Sequence, residues 1–237
     1  MENNLSISII IPCYNEKETI EKVFFKVKSS HIHNKEIIIV DDFSNDGSVE
    51  IINKISKDNS ESKLKTIFHK KNEGKGAAIK SGLKVATCDL VLIQDSDLEY
   101  DPIDYPNLLE PFIKYNADVV YGSRFVGGKG PKRLHLFWHT FANKILTLIT
   151  NIFTNLNMTD METGYKVFKK KHIDIDNLEE KSFGIEPEIT IKLAKKKVKF
   201  FEVPITYNGR NYNQGKKIKA RDAFIALYCI IKYSLFR

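Results

Sequence analysis

Cysteine is scarce in this 237-residue chain, and no long apolar run interrupts it. The three cysteines, Cys13, Cys88 and Cys229, form neither a CxxC pair nor a cluster with histidine. This pattern gives no basis for a disulfide framework or a cysteine zinc site, and it favours a reducing compartment. The longest apolar stretch near the C-terminus, residues 223–231, is well short of the roughly 20 residues that a membrane-spanning helix needs.

Low-complexity tracts, internal repeats and Gly/Ser linkers are also absent, which favours one domain with a soft boundary at residues 129–133. Hydrophobic residues make up 42% of the chain and charged residues 28%, a mixture typical of a globular protein with a full core. Acidic residues are outnumbered rather than rare, and the formal net charge is +7. The excess favours anionic partners, a class that includes phosphates, lipid headgroups and nucleic acid.

What the sequence does contain is an alternation of short β-branched runs and longer helical patterns. Helices are predicted at residues 18–30, 48–56 and 77–86, and strands at residues 6–11, 36–40, 64–69, 90–93, 118–121 and 198–205. The fourth of these strands leads into a loop bounded by prolines. Continuous apolar strands separated by helices predict an α/β fold with a parallel sheet that is covered on both faces.

Acidic residues follow two of the predicted strands. Asp41 and Asp42 come after one, and the run Asp95-Ser96-Asp97-Leu98-Glu99 comes shortly after another. Open parallel sheets bind ligands at the carboxyl ends of their strands, so the two groups are expected to share one crevice. Crowded carboxylates without a nearby histidine favour Mg²⁺ or Mn²⁺. The alternative is that these residues only cap helices and shape turns.

Four segments together carry a family resemblance over nearly the whole chain: residues 11–16 (IPCYNE), 40–48 (VDDFSNDGS), 72–78 (NEGKGAA) and 94–99 (QDSDLE). In order and spacing they resemble a family-two glycosyltransferase, of the branch that contains dolichyl-phosphate and polyprenyl-phosphate sugar synthases. The resemblance implies a GT-A fold, which is a Rossmann-like, mostly parallel sheet with helices on both faces. It also implies that residues 1–128 bind the nucleotide sugar and that residues 129–237, with a C-terminal helix, bind the acceptor.

The same resemblance implies a donor site and its cofactor. The metal, Mg²⁺ or Mn²⁺, would be held by Asp95, Asp97 and Glu99. The nucleotide would be bound by a larger set, namely Pro12, Tyr14, Glu16, Asp41, Asp42, Lys75, Asp95 and Ser96. From the residues alone, Lys75 between two glycines is equally consistent with a plain loop before a helix.

Arg124, in a Gly-Ser-Arg segment, resembles the family's acceptor-phosphate ligand, and a bidentate guanidinium suits a phosphate. Its alternative is an ion pair with a neighbouring aspartate. Asp160 resembles the family's acidic acceptor-site residue, and with Asp97 and Arg124 it forms the predicted catalytic set. It acts as a base if the acceptor is a hydroxyl, orients Arg124 or the acceptor if the acceptor is a phosphate, or merely caps a loop.

Residues 207–217 form a polar, basic, glycine-containing loop. By resemblance, Arg210 and Lys216 in this loop would close over the donor diphosphate, where cations stabilise a leaving group. The alternative is an ordinary solvated loop. Glu186 and Glu188 stand in the first turn of a predicted helix, where the helix dipole explains them without a functional role.

A helix over residues 134–156 carries an apolar stripe at spacings of four and three, formed by Leu134, Trp138, Phe141, Ile145, Leu148 and Ile152. We expect this face to pack in the core, as the apolar face of a globular helix normally does. Interfacial docking on a membrane is the alternative, since the stripe is wide and a basic loop precedes it.

The sequence therefore predicts an inverting, metal-dependent transferase that moves a sugar from a GDP- or UDP-sugar to a polyprenyl or dolichyl phosphate. The runner-up is transfer to a saccharide hydroxyl with Asp160 as base. We expect peripheral membrane contact and no nucleic-acid partner. We also expect a cytoplasmic location, with the cytoplasmic face of a membrane as the alternative. A dinucleotide oxidoreductase is disfavoured because no GxGxxG follows a strand. A receiver-like module with paired aspartates would fill only about half of this length.

Overall fold

The computed structural model describes residues 5–59, 63–127, 136–210 and 220–236. Within them, strands and helices occur in the order β1 (Ile7–Cys13), α1 (Ile20–Ser29), β2 (Lys35–Asp41), α2 (Ser48–Asp58), β3 (Leu64–Phe68), α3 (Lys75–Val85), β4 (Leu90–Ile93), α4 (Tyr105–Lys114), β5 (Val119–Ser123), α5 (Phe137–Thr154), β6 (Lys166–Lys169), α6 (Ile185–Lys195), β7 (Phe200–Pro204) and α7 (Ala220–Leu235). Short 3₁₀ turns precede α4 and follow β6.

The strands form one sheet in the order β3-β2-β1-β4-β6-β5-β7. All neighbouring pairs are parallel except those of β6, which is antiparallel to both β4 and β5. The predicted α/β fold with a mostly parallel sheet is confirmed. Because β2 and β4 flank β1, the acidic residues that follow these two strands emerge at the same edge of the sheet.

Two hydrophobic clusters cover the two faces of the sheet. Alternate strand residues point to opposite clusters, as Ile9 and Ile10 of β1 show. One cluster joins the sheet to α3, α5, α6 and α7, and the other joins it to α1, α2 and α4. Strands β1, β2, β4 and β5 are buried on both sides, which explains their largely apolar sequences, whereas the edge strands β3 and β7 are only partly buried.

Two elements differ from the sequence-based prediction. The segment predicted as a loop after β4 contains α4, in which Pro106 stands in the first turn, where no backbone N–H is needed, and Pro111 lies inside the helix. The strand β6 was not predicted, because its four residues, KVFK, show too short a pattern. It enters the sheet between β4 and β5 and brings the Asp160 segment towards the strand ends.

The prediction that the apolar stripe of α5 packs in the core is wrong. Its residues are exposed, with Trp138 at 74% and Ile152 at 70%. The buried residues of α5 lie on the opposite side of the helix and are mostly polar, namely Asn143, Leu146, Thr147 and Thr150. The helix therefore turns a hydrogen-bonding face inward and its larger apolar face outward. Leu134 lies outside the described residues.

Among the helices that the structure describes, none is both long enough and apolar enough to cross a bilayer.

Candidate active site

A cavity of about 640 Å³ opens at the carboxyl ends of β1, β2 and β4. Most of the predicted site residues line it: Pro12, Tyr14, Glu16, Asp42, Lys75, Asp95, Ser96, Asp97, Glu99, Arg124 and Arg210. Asp41 does not line it; this buried residue accepts a hydrogen bond from the backbone N–H of Ser44. Lys216 lies outside the described residues. The expectation that carboxylates after β2 and β4 share a crevice holds for Asp42, Asp95 and Asp97.

Asp42 organises the loop that leads into α3. Its carboxylate accepts hydrogen bonds from the backbone N–H groups of Glu73, at 2.9 Å, and Gly74, at 2.7 Å. It also contacts the ring of His69 at 2.8 Å. Gly74 has a φ of +99°, which favours glycine, and α3 begins at the next residue, Lys75. The loop therefore fixes the position of the Lys75 side chain in the cavity.

Lys75 bridges two carboxylates from different elements. Its Nζ lies 2.8 Å from Asp95, after β4, and 2.8 Å from Glu186, in the first turn of α6. Although burial opposes its charge, these two carboxylates raise the pKa of Lys75 well above its usual value. Lys75 is therefore a permanent cation inside the cavity, and Glu186 belongs to the site.

Arg210 lies on the acidic edge formed by Glu16, Asp97 and Glu99. Its guanidinium donates to both carboxylate oxygens of Glu16 at 3.1 Å and to Asp97 at 3.0 Å. The carboxylate of Glu99 accepts hydrogen bonds from the Arg210 backbone N–H and from the Tyr207 hydroxyl, both at 2.6 Å. A cation from the segment after β7 thus offsets part of the negative charge on an edge made by the segments after β1 and β4.

Asp160 holds Arg124 in place at the cavity wall. The Arg124 Nε and a terminal nitrogen donate to the two oxygens of Asp160, each at 2.7 Å, and the Arg124 backbone N–H adds a third bond at 3.0 Å. Asn143 of α5 donates to the same carboxylate at 2.7 Å. Burial opposes ionisation of Asp160, but the charge and hydrogen bonds of Arg124 hold its pKa below the usual value.

Comparison with known proteins accounts for this architecture. The model of glycosyl transferase family 2 matches residues 8–175. The chain belongs to this family. The family-2 chain is 31% identical over 223 residues to a dolichol-phosphate mannosyltransferase of Pyrococcus furiosus, a match that covers 93% of this chain and 61% of that protein. The resemblance predicted from the four sequence segments is confirmed, and so is the prediction of a glycosyltransferase.

A second relative of this glycosyltransferase is an undecaprenyl-phosphate mannosyltransferase of Micrococcus luteus, 28% identical over 90% of this chain and 87% of that one. Among solved structures, glucosyl-3-phosphoglycerate synthase of Mycobacterium tuberculosis, in complex with Mn²⁺, UDP and phosphoglyceric acid, superposes with a TM-score of 0.72. It is 16% identical and covers 99% of this chain and 80% of its own. The predicted GT-A fold is confirmed by this similarity.

The acidic edge of the glycosyltransferase suits a hard divalent cation in its chemistry. Burial, with the nearby charges of Asp95 and Glu99, raises the pKa of Asp97 to about 7, as expected where carboxylates lack a full countercharge. Within the described residues, no three His, Cys, Asp or Glu side chains are arranged to hold a metal. The predicted ligand set of Asp95, Asp97 and Glu99 is therefore not arranged as a three-carboxylate site. A cation here would take one or two of these carboxylates and complete its shell with donor oxygens, which is a common arrangement for Mg²⁺.

Several residues of the site were not predicted as functional. Glu186 was attributed to the helix dipole, but it contacts Lys75 in the cavity. Glu162, which was considered only as a substitute for Asp160 in the acceptor-site motif, also lines the cavity. One oxygen of each of these two glutamates has no hydrogen-bond partner among the described residues. Burial and the charge of Glu186 raise the pKa of Glu162 to about 7. Asn143 was not predicted, because its role depends on a hydrogen bond to Asp160, which lies 17 positions away in the sequence.

Proposed function

We propose that this glycosyltransferase moves a hexose from a nucleotide sugar to a polyprenyl phosphate, with inversion at the anomeric carbon. The observation that carries the proposal is that one cavity holds both the carboxylates of Asp95 and Asp97 and a fixed guanidinium, that of Arg124. The names of the relatives from Pyrococcus furiosus and Micrococcus luteus support this acceptor class. This chain spans 61% of the Pyrococcus protein, so the proposal concerns the chemistry of this part.

The donor would lie with its nucleoside near Tyr14 and Asp42 and its diphosphate near Asp95 and Asp97. Mg²⁺ or Mn²⁺ held there would offset the charge that develops on the departing nucleoside diphosphate. Arg210 contacts Asp97 and is therefore close enough to move onto the diphosphate once the donor is bound. The unpartnered oxygens of Glu162 and Glu186 are suited to accept hydrogen bonds from sugar hydroxyls.

In the reaction, an oxygen of the acceptor phosphate forms a bond to the anomeric carbon. The bond from that carbon to the diphosphate oxygen breaks, and the nucleoside diphosphate leaves with the bonding electrons. A phosphate acceptor is already ionised, so no base is needed. Asp160 leaves several N–H groups of Arg124 unused, and these are available to a phosphate.

The saccharide alternative requires Asp160 to remove a proton from a hydroxyl. Both of its oxygens are bound to Arg124 or Asn143, the side chain is fully buried, and its pKa is lowered. These features suit a positioning residue better than a base, which needs a pKa near the working pH. We therefore assign Asp160 to the orientation of Arg124. The cytoplasmic location and the single-domain organisation stay predictions.

The proposal is tested by incubating the protein with GDP-, UDP- and dTDP-sugars and either a polyprenyl phosphate or a panel of saccharides. We expect transfer to the lipid phosphate with Mn²⁺ or Mg²⁺ and its loss on addition of EDTA. Transfer to saccharides alone would overturn the acceptor, and activity that survives EDTA would remove the metal. Asp160→Asn is expected to lower turnover without changing the shape of the pH profile, whereas loss of a base would abolish its acidic limb.

A further inference from the structure

Two neighbouring helices present exposed apolar side chains on one side of the molecule. The apolar face, as we call it, comprises Trp138, Leu148 and Ile152 of α5 and Phe224, Tyr228 and Leu235 of α7. Four of these six side chains are large and at least 64% exposed, namely Trp138, Ile152, Phe224 and Tyr228. The two helices pack against each other, and the buried residues of both contact the same hydrophobic cluster. Contiguous apolar surfaces of this kind mark interaction sites rather than ordinary solvent-exposed surface.

The charges on these helices favour an anionic partner. Within the described residues, α5 has one charged residue, Lys144, and no acidic residue. On α7, Arg221 is 77% exposed, whereas the neighbouring Asp222 is 11% exposed and is the only acid of the helix. Aromatic and aliphatic side chains with flanking cations are typical of helices that lie in a membrane interface.

The same helices also form part of the site. The inner side of α5 provides Asn143, which binds Asp160 and through it Arg124, and the first turn of α7 places Arg221 on the cavity wall. A lipid acceptor must bring its phosphate to Arg124 while its hydrocarbon chain stays in the bilayer. A surface that holds α5 and α7 against the bilayer places the cavity within reach of that phosphate.

We infer that the apolar face docks on an anionic phospholipid bilayer, with α5 and α7 lying in the plane of the interface. The inference rests on the proposed lipid-phosphate acceptor for its purpose, but the docking itself has a separate readout. Trp138 is the only tryptophan of the chain and lies on the face. Its fluorescence therefore reports contact with lipid without a label.

The experiment adds vesicles of phosphatidylcholine, with or without phosphatidylglycerol, to the full chain. We expect the emission of Trp138 to shift to shorter wavelength and to be quenched by lipids with brominated acyl chains. Both effects should be stronger with phosphatidylglycerol and weaker at high salt. An unchanged emission overturns the inference. Equal binding to an anionic surface of the same charge that has no acyl chains also overturns it.

Matched variants locate the surface. Leu148→Gln/Ile152→Gln/Phe224→Gln changes the apolar face but keeps Trp138, and it is expected to weaken vesicle binding at least about tenfold, given the apolar area it removes. Ile103→Gln/Ile113→Gln/Tyr115→Gln changes three exposed apolar residues on the α4 side and should leave binding unchanged. Equal effects of the two variants contradict the assignment. A concentration-dependent dimer in sedimentation, lost in the first variant only, would assign the face to a second copy of the chain.

Turnover separates this inference from the proposed function. With a water-soluble, short-chain polyprenyl phosphate and no vesicles, the first variant should match the unaltered protein. With a long-chain acceptor in vesicles, it should lose at least about tenfold, in line with its weaker binding. If the unaltered protein binds vesicles but transfers no sugar to either acceptor, the proposed function fails and the docking surface stands. If the unaltered protein transfers sugar to the acceptor in vesicles while the emission of Trp138 shows no contact with lipid, only the docking inference fails.

Discussion

At the scale of single residues, the proposed acceptor chemistry rests on the contact between Arg124 and Asp160. The carboxylate is fully buried, and the guanidinium side chain is 15% exposed at the cavity wall. Breaking a buried pair of this kind costs about 3–5 kcal/mol because it leaves one charge without compensation. The pair is therefore rigid, and the N–H groups that Asp160 does not use have a fixed direction.

We expect Arg124→Lys to lower kcat/KM for a polyprenyl phosphate by about 10- to 100-fold. Lysine keeps the charge but loses the planar, two-point contact, and a hydrogen bond to a charged group is worth about 1.5–3 kcal/mol. Donor affinity, measured by calorimetry with the nucleoside diphosphate and Mn²⁺, should stay within a factor of about three, because Arg124 is assigned to the acceptor. A tenfold change in affinity would need about 1.4 kcal/mol.

Arg221→Lys is the matched control for this change. Arg221 also lines the cavity, but its side chain is 77% exposed, and its guanidinium lies 3.9 Å from Asp222. An exposed pair contributes little, about 0–1 kcal/mol, so the control should keep most of its activity. If both variants lose activity equally, Arg124 has no special part in binding the acceptor.

The sequence identified Arg124 and Asp160 as candidate site residues, but it did not predict all of the contacts that hold them in place. Arg124 and Asp160 were found because each lies in a segment with a family resemblance, and an ion pair of Arg124 with an aspartate was among the alternatives. Asn143 was not found, because an asparagine inside an amphipathic helix carries no local signal. Its function arises only when α5 packs against the Asp160 segment.

At the scale of elements, the start of α3 is fixed by close backbone contact with the segment before α6. The Ala77 backbone N–H donates to the carbonyl oxygen of Lys181 at 3.1 Å. A Cβ added at Gly76 would clash with the carbonyl oxygen of Glu180 and approach the carbonyl carbon of Lys181 to 3.0 Å. This contact brings Lys75 and Glu186 together across the cavity.

We expect Gly76→Ala to destabilise the protein by about 1–3 kcal/mol, as overpacking against fixed backbone does. It should also weaken donor binding, because Lys75 moves away from Glu186 and Asp95. Urea unfolding and calorimetry measure the two effects. Gly127→Ala is the control, since a Cβ there has no atom within 4 Å, and it should change neither quantity. Equal stability of both variants would show that the α3 contact tolerates a side chain.

Elements with a strong periodic pattern were predicted well, and those set by tertiary context were not. Strands β1, β2 and β4 are continuous apolar runs, and their positions follow from the sequence. Strand β6 exists because β4 and β5 offer it partners on both sides. The apolar stripe of α5 had the period of a core helix, but period alone does not say which side faces the core. The hydrogen bond from Asn143 to Asp160 settles that orientation.

At the scale of the whole molecule, the order of the strands shows how the two halves of the chain are joined. Strand β5 belongs to residues 1–128, yet both of its neighbours, β6 and β7, come from residues 129–237. Strand β6 in turn lies between β4 and β5. Each half therefore completes the sheet of the other, and Arg210 adds a contact to the acidic edge of the first half.

This interleaving predicts that the described chain unfolds as one cooperative unit. In urea, far-UV and near-UV circular dichroism should follow the same single transition. A fragment of residues 1–128 should lack native near-UV signal, because β5 would have no strand partner and β4 would lose one of its two. Cleavage at a protease site placed between residues 129 and 133 should leave the two pieces associated, since the hydrogen bonds of β5 to β6 and β7 remain. Two separate transitions, or a folded fragment, would instead mean that the boundary near residue 129 divides independent domains. The residues proposed to bind donor and acceptor would then meet only through an interface between those domains.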